Sequence, residues 1–247
     1  MKTIDVLGTP LAATTYEELT QYCQQLARAA GTTAIDLTNT QIVTMRRHEP
    51  AFREATSRID LFVPDGMPLI WTLNHRGAGL TDRVYGPTFM RHCVLSSPAP
   101  FKHYLLGGSE HCLERLRERL TAEQPQLQIV GSHHGYFARS EEDEIVREIN
   151  ALAPDFIWIG LGTPKQQEWI HRHKPHINRG VIFAAGFAFD VNAGTKRDAP
   201  AWMQKRGLTW VFRMLSEPRR LVTRYARYNS LFLFYLSKEM LRGRVGR

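Results

Sequence analysis

The sequence predicts an α/β fold: a Rossmann-like, mainly parallel sheet with helices on both faces, plus a helical, basic C-terminal appendage. Three observations carry this. Short β-rich runs alternate with helical patterns along most of the chain, the pattern of strands joined by helical crossovers. Several runs end in glycine just before a helix, as in Leu105-Leu106-Gly107-Gly108 and Ile159-Gly160-Leu161-Gly162. From Ala201 the strands stop, and arginines interleave with aromatic residues.

Thr3–Leu7 reads as the first strand. Thr14-Thr15 followed by Glu17-Glu18 caps a helix running to about Ala30, because a hydroxyl and a carboxylate three residues apart satisfy the first free backbone N–H groups. Ala34–Thr38 is a second strand, closed by Asn39, with a helix from about Gln41 to Ser57. Leu61-Phe62-Val63-Pro64 is a third strand, halted at Asp65-Gly66. A helix follows over Met67–His75, and Tyr85-Gly86-Pro87 opens another through Val94. The second half repeats the rhythm. Strands at Tyr104–Leu106, Leu127–Val130, Phe156–Ile159 and Val181–Ala185 each lead through glycine into a helix or a helix-forming run. No internal repeat or low-complexity linker interrupts this, so residues 1–195 are expected to form one catalytic domain and 196–247 the appendage.

Charge follows the same division. The net charge is +8. Residues 201–247 hold eleven of the 32 Lys and Arg against Glu217 and Glu239, a net of +9, while residues 1–200 come to −1. A regional excess of this kind points to a polyanionic partner for the appendage. Arg213, Arg220, Arg224 and Arg227 fall on one helical face, followed by Leu231-Phe232-Leu233-Phe234-Tyr235-Leu236. That pairing suits a helix lying on an anionic membrane; a helix packed on the domain with solvated arginines reads equally well. No apolar run approaches a membrane span and the N-terminus lacks a signal peptide's apolar centre. Cys23, Cys93 and Cys112 are scattered and odd in number, which reads as buried thiols in a reducing cytoplasm.

Asp65 is the candidate catalytic group. It stands between a proline and a glycine at the C-terminal end of a strand, the edge where open parallel sheets keep their chemistry. From this turn alone, helix capping is the stronger reading. Three glycine-ended strands at one sheet edge favour a nucleotide ligand, since such turns present backbone N–H groups to phosphate. Neither the dinucleotide fingerprint nor the Walker pattern is present. His171, His173 and His176 lie close together, but Arg172 and Lys174 stand between them, so a solvated helix end is expected and no metal. Ser109 is expected to cap a helix.

Nine short motifs in order carry a family resemblance: Asn39; Val63-Pro64-Asp65-Gly66; Arg83-Val84-Tyr85-Gly86; Leu105-Leu106-Gly107-Gly108; Gly131-Ser132 with Gly135-Tyr136-Phe137; Gly160-Leu161-Gly162-Thr163-Pro164-Lys165-Gln166; Phe189-Asp190 with Ala193-Gly194; Ala199-Pro200 with Trp202; and Glu217-Pro218 with Arg220-Leu221. Over residues 3 to 236 the chain resembles the WecG/TagA/CpsF family of bacterial glycosyltransferases. The resemblance implies an inverting, metal-independent transferase without a cofactor, moving a sugar from a UDP-sugar donor to a polyprenyl-diphosphate-linked sugar acceptor in exopolysaccharide, capsule or cell-wall polymer synthesis. It implies a cytoplasmic protein held peripherally on the inner face of the plasma membrane through its appendage, with no nucleic-acid partner; a homo-oligomer is compatible with it. It implies Asp65 as general base and substrate contacts at Thr38, Asn39, Arg83, Gly108, Tyr136, Lys165, Gln166 and Asp190. Arg213, Arg220 and Arg224 would approach the diphosphate.

The chain departs from the family pattern at four places. Leu37 replaces the first hydroxyl of Thr-x-Asn. Gln167 replaces a glutamate, removing a carboxylate expected near the nucleotide. Asp198 stands where an arginine precedes Ala-Pro, and Thr209 replaces the glutamate of Gly-Leu-Glu-Trp. The run Met67-Pro68-Leu69-Ile70-Trp71 after Asp65-Gly66 also differs from members that transfer N-acetylmannosamine. These changes bear on which sugar is carried rather than on the reaction class. The rival readings are an NAD-linked oxidoreductase, for which the glycine fingerprint is missing, and a non-enzymatic membrane or nucleic-acid binding module, which would leave Asp65 unexplained.

Overall fold

The computed structural model describes residues 1–96 and 101–245. Eight strands form one sheet in the order β1-β2-β4-β3-β8-β7-β5-β6. They are β1 (Thr3–Val6), β2 (Thr9–Ala12), β3 (Gly31–Thr38), β4 (Leu61–Pro64), β5 (Lys102–Gly107), β6 (Gln128–His133), β7 (Phe156–Gly160) and β8 (Arg179–Ala184). Every neighbouring pair is parallel except β1 with β2. The helices are α1 (Tyr16–Arg28), α2 (Thr40–His48), α3 (Pro50–Ala55), α4 (Met67–His75), α5 (Gly86–Ser96), α6 (Glu110–Glu123), α7 (Glu142–Leu152), α8 (Lys165–His173), α9 (Ala188–Ala193), α10 (Ala201–Lys205), α11 (Thr209–Ser216) and α12 (Pro218–Val245). This is the expected Rossmann-like α/β architecture.

The core falls into two layers because successive strand residues point to opposite faces. Ile35, Leu37, Val63, Phe156, Trp158, Val181 and Phe183 pack with α1, α5, α6 and α9. Their neighbours Ala34, Phe62, Ile157, Ile159, Ile182 and Ala184 pack on the other face with α2, α4, α7, α8 and Phe232 of α12. Trp158 stacks on Phe183 at 4.2 Å, joining β7 to β8 at the centre of the sheet. All three cysteines are buried.

Three features differ from the sequence reading. The stretch between the first strand and first helix holds a second strand, β2, which forms a hairpin with β1. Leu7 and Gly8 both take left-handed backbone angles, φ 54° and 84°, and the Asp5 carboxylate accepts from the Gly8 N–H at 2.9 Å; a two-residue turn of this kind matches the twist of paired strands. The helix expected over 41–57 is two helices, because Pro50 opens α3 and cannot continue α2. The single basic face expected in the appendage is likewise split, since Arg213 lies on α11 and Pro218 starts α12.

α12 lies along α2 through a seam of hydrogen bonds and apolar contacts. The Thr40 hydroxyl donates to Asn229 Oδ1 at 3.1 Å, Tyr228 Oη donates to Glu49 at 2.6 Å, and His48 Nδ1 lies 2.7 Å from Tyr235 Oη. Phe232, 3% exposed, enters the core, and Tyr228 packs on Ile42, Met45 and Phe52.

The carboxyl edge of the sheet is opened by close backbone approach at Gly107. A Cβ there would lie 2.4 Å from the Gly160 backbone, and φ is 135°. Any side chain would therefore both clash with β7 and strain its own backbone. Gly107→Ala is expected to cost about 3 kcal/mol and lower the melting temperature by about 6–12 °C. Thermal unfolding of the purified variant measures this, and wild-type stability would contradict the assignment.

Candidate functional site

The ends of β3, β4, β5, β7 and β8 line a cleft of about 430 Å³. Asn39, Asp65, Gly108, Tyr136, Lys165, Gln166, Asp190, Arg213, Arg220 and Arg224 all border it. Ten positions separated by up to 185 residues thus converge on one space. A second, more apolar cavity of about 220 Å³ adjoins it, bounded by Met67, Pro68, Arg83, Trp210, Phe232 and Leu233. Asn39, Asp65, Tyr85 and Arg213 border both.

Asp65 does not cap α4. The cap position is Gly66, which has no side-chain cap bond, and Asp65 Oδ1 is shut off from solvent without a hydrogen-bond partner. An orphaned carboxylate oxygen is costly unless it serves a ligand. Burial raises the Asp65 pKa from 3.8 to about 7, against the opposing pull of Arg83, the Gly86 backbone and Arg213. A carboxyl with this value exchanges its proton near neutrality.

Arg83 is buried beside it. Its Nη1 donates to the Asp65 carbonyl at 3.1 Å, its Nη2 to Thr209 Oγ1 at 2.9 Å, and the guanidinium covers the Tyr85 ring at 4.1 Å. Arg83 therefore faces the second cavity rather than the main cleft. Thr38 requires correction as a substrate contact: it is fully buried, and its hydroxyl donates to Asp36 Oδ1 at 2.5 Å. It helps hold Asp36, a fully buried acid whose pKa is raised by desolvation. Gln167 is the other partner, donating to Asp36 Oδ2 at 2.8 Å. The amide at 167 thus lies in the core instead of beside the main cleft, and a second carboxylate there would face Asp36 directly.

The rest of the cleft is a cationic cradle. Lys165, Lys196, Arg213, Arg220 and Arg224 border it against Asp65 and Asp190, an excess of positive charge that selects an anionic ligand. Arg213 rests on the Phe187 ring at 3.9 Å, while its Nε is buried without a partner. Arg224 donates to the Thr163 carbonyl at 3.0 Å. Arg220 pairs with Glu217 at 2.6 Å, and Lys196 bridges Asp190 at 3.2 Å and Glu217 at 3.3 Å. Gln166 Oε1 accepts from the Gly162 N–H at 3.1 Å and so shapes the loop after β7. Tyr136, 79% exposed, stands at the rim with its ring free for stacking. Ser109 caps α6 by accepting from the Cys112 N–H at 3.1 Å.

Lys196, Tyr85, Phe187 and Tyr225 also border the cleft and are not among the substrate contacts expected from sequence, although Tyr85 lies in one of the family motifs. Lys196 sits at the start of the basic segment, where charge alone does not separate it from its neighbours. His173 corrects the expected solvated helix end: it is 7% exposed, with Nε2 2.6 Å from Glu142 Oε2. Arg227 turns away from the cleft, lying 3.7 Å from Glu49.

A carboxyl at the end of a parallel sheet thus stands between a cationic cleft and a more apolar cavity. The sequence matches the model of the glycosyl transferase WecG/TagA/CpsF family over residues 4–246. The chain belongs to this family and is a glycosyltransferase. Among its relatives are N-acetylglucosaminyldiphosphoundecaprenol N-acetyl-beta-D-mannosaminyltransferases of Staphylococcus aureus strains MW2, NCTC 8325 / PS 47 and MRSA252. Each is 26% identical over 221 residues, covering 88% of this chain and 86% of the relative.

The raised Asp65 pKa makes native stability depend on pH. Below about pH 3 the carboxyl is mostly protonated in folded and unfolded chains alike and contributes little difference. As pH rises from about 3 to 7 the unfolded chain ionises first, so native stability falls; above 7 the cost is complete, up to about 4 kcal/mol. Asp65→Asn is expected to melt several degrees higher than wild type at pH 8 and at the same temperature at about pH 3. Thermal unfolding at both pH values decides it; an equal difference at the two would refute the buried-acid account.

Proposed function

We propose that this glycosyltransferase moves a sugar, with inversion, from a UDP-sugar to a sugar carried on polyprenyl diphosphate. Its relatives' names describe a diphosphoundecaprenol-linked acceptor, and the two cavities meeting at Asp65 suit two substrates. In this reading the UDP-sugar occupies the larger cleft, with its diphosphate among Lys165, Arg213, Arg220 and Arg224, its base near Tyr136 and its sugar toward Asp65. The acceptor hydroxyl enters from the smaller cavity. Asp65 takes its proton as the oxygen attacks the anomeric carbon, and the bond to UDP breaks on the opposite face. The cationic side chains meet the charge developing on the leaving diphosphate, with no resident metal in the proposal. The observation carrying this is Asp65 itself: a carboxyl with one unpartnered oxygen, shared by both cavities.

The acceptor's lipid places the work at a membrane, and we propose the cytoplasmic face. Among the described residues no helix is long and apolar enough to cross one. Trp202, Trp210, Leu215, Leu233 and Phe234 are exposed on the appendage, close to its arginines, which suits peripheral attachment to anionic lipid. The reading treats residues 1–195 as the catalytic domain and the remainder, whose last two residues lie outside the described residues, as the attachment.

Asp65→Asn is expected to reduce transfer at least about a thousandfold while UDP affinity stays within about threefold, since the amide keeps the shape but accepts no proton. In the wild type, kcat/KM should rise with pH through an apparent pKa near 7 as Asp65 ionises. UDP-N-acetylmannosamine is the first donor to assay, with other UDP-hexoses and UDP-N-acetylhexosamines beside it. Undiminished turnover by the variant would remove Asp65 from the role of base. A thermal shift with NAD and none with UDP would favour the oxidoreductase reading instead.

A further inference from the structure

The proposed chemistry needs Arg213 beside Asp65, and Arg213 does little to hold itself there. Its guanidinium rests on the Phe187 ring and its Nε lacks a hydrogen-bond partner. Its position is inherited from the segment that carries it, residues 196–216. That segment is tied to the stretch before α5 by two hydrogen bonds, one from Tyr85 and one from Arg83. Tyr85 Oη donates to Asp198 Oδ1 at 2.6 Å, and Arg83 Nη2 donates to Thr209 Oγ1 at 2.9 Å. Thr209 opens α11, one turn before Arg213.

Both ends are firmly set. The Tyr85 ring is 5% exposed and lies under the Arg83 guanidinium, and its N–H donates to Tyr16 Oη at 2.9 Å. Asp198 also accepts from the Ala199 N–H at 2.7 Å and, through its other oxygen, from Gln204 Nε2 at 3.1 Å. It thereby grips α10 as well. A mostly buried phenol donating to a carboxylate makes a short, charge-assisted bond, one of the stronger kinds available to a protein. Its carbon frame is shared with the wall of both cavities.

We propose that Tyr85 and Asp198 are a positioning pair which, with Arg83 and Thr209, fastens the 196–216 segment over the cleft and so sets Arg213 against Asp65. This deepens the glycosyl-transfer reading and rests on it for the meaning of Arg213. The charged and titratable groups facing Asp65 are Arg83, Arg213, Asp36 and the phenols of Tyr16 and Tyr85. Of these, Arg213 alone comes from the fastened segment.

The full chain is tested with Tyr85→Phe, which keeps the ring under Arg83, with Asp198→Ala, and with Asp198→Asn, which keeps an acceptor oxygen for Tyr85. Hydrogen–deuterium exchange over residues 198–216 and binding of inorganic pyrophosphate are measured alongside transfer. In Tyr85→Phe and Asp198→Ala, exchange should quicken in that segment and pyrophosphate should bind at least about tenfold more weakly, the lower end of what one charge-assisted hydrogen bond contributes. Turnover should fall roughly tenfold or more, the usual consequence of a displaced reacting group. The acidic limb of the pH–rate profile should move upward, because a retreating Arg213 no longer favours the Asp65 anion. Asp198→Asn, which keeps one acceptor oxygen but loses the charge and the acceptor for Gln204, should fall between wild type and Asp198→Ala in each readout. Unchanged exchange in Tyr85→Phe and Asp198→Ala, or quickened exchange with unaltered pyrophosphate binding, overturns the proposal. A wild type that transfers no sugar, but shows the exchange and pyrophosphate effects, sinks the functional reading and leaves the positioning pair standing.

Discussion

Everything in this molecule turns on keeping one carboxyl group poorly solvated at the mouth of a parallel sheet. An acid in that position prefers to keep its proton, and the fold tolerates this only by surrounding it with partial compensation. Arg83 and Arg213 approach from two different segments, and the Gly86 backbone contributes a third attraction. None satisfies Oδ1. The residue is thus left with an unmet preference that a hydroxyl-bearing ligand can meet, and the proposed role of base rests on it.

The architecture supplies that environment economically. Because seven strands run the same way, their C-terminal ends gather at one edge. At that edge Gly107 pairs with Gly160 across β5 and β7 so closely that no side chain fits between them. The apolar faces of Trp158 and Phe183 stack and join β7 to β8 beneath the cleft. Its cations come largely from the C-terminal helices, so charge and scaffold are contributed by different parts of the chain.

Much of this was legible in the sequence. The strand ends were visible as apolar runs stopped by glycine, and Asp65 as a carboxylate trapped between Pro64 and Gly66 with no packing duty. Arg213, Arg220 and Arg224 border one cleft, although they reach it from two helices rather than from one continuous face. What escaped was set by long-range contact. Thr38 looks like a ligand contact until the buried Asp36 claims its hydroxyl, and nothing local to residue 167 shows that its amide faces the same acid. β2 was hidden because its signal, Leu7-Gly8, is a turn of two left-handed residues in a stretch too short for a clear alternation. Tyr85 and Lys196 matter through partners more than a hundred residues and a few residues away respectively, and neither distance leaves a mark on local pattern.

The seam between α2 and α12 has a consequence for how the last helix is seated. Its bonds join hydroxyls, an amide, an imidazole and a carboxylate, beside apolar contacts of Phe232 and of Tyr228 on Ile42, Met45 and Phe52. Apolar packing alone tolerates sliding, whereas a hydrogen bond weakens steeply once its partners move out of line. The spacing of Thr40, His48 and Glu49 along α2 therefore fixes the register of the long terminal helix, as notches fix a key.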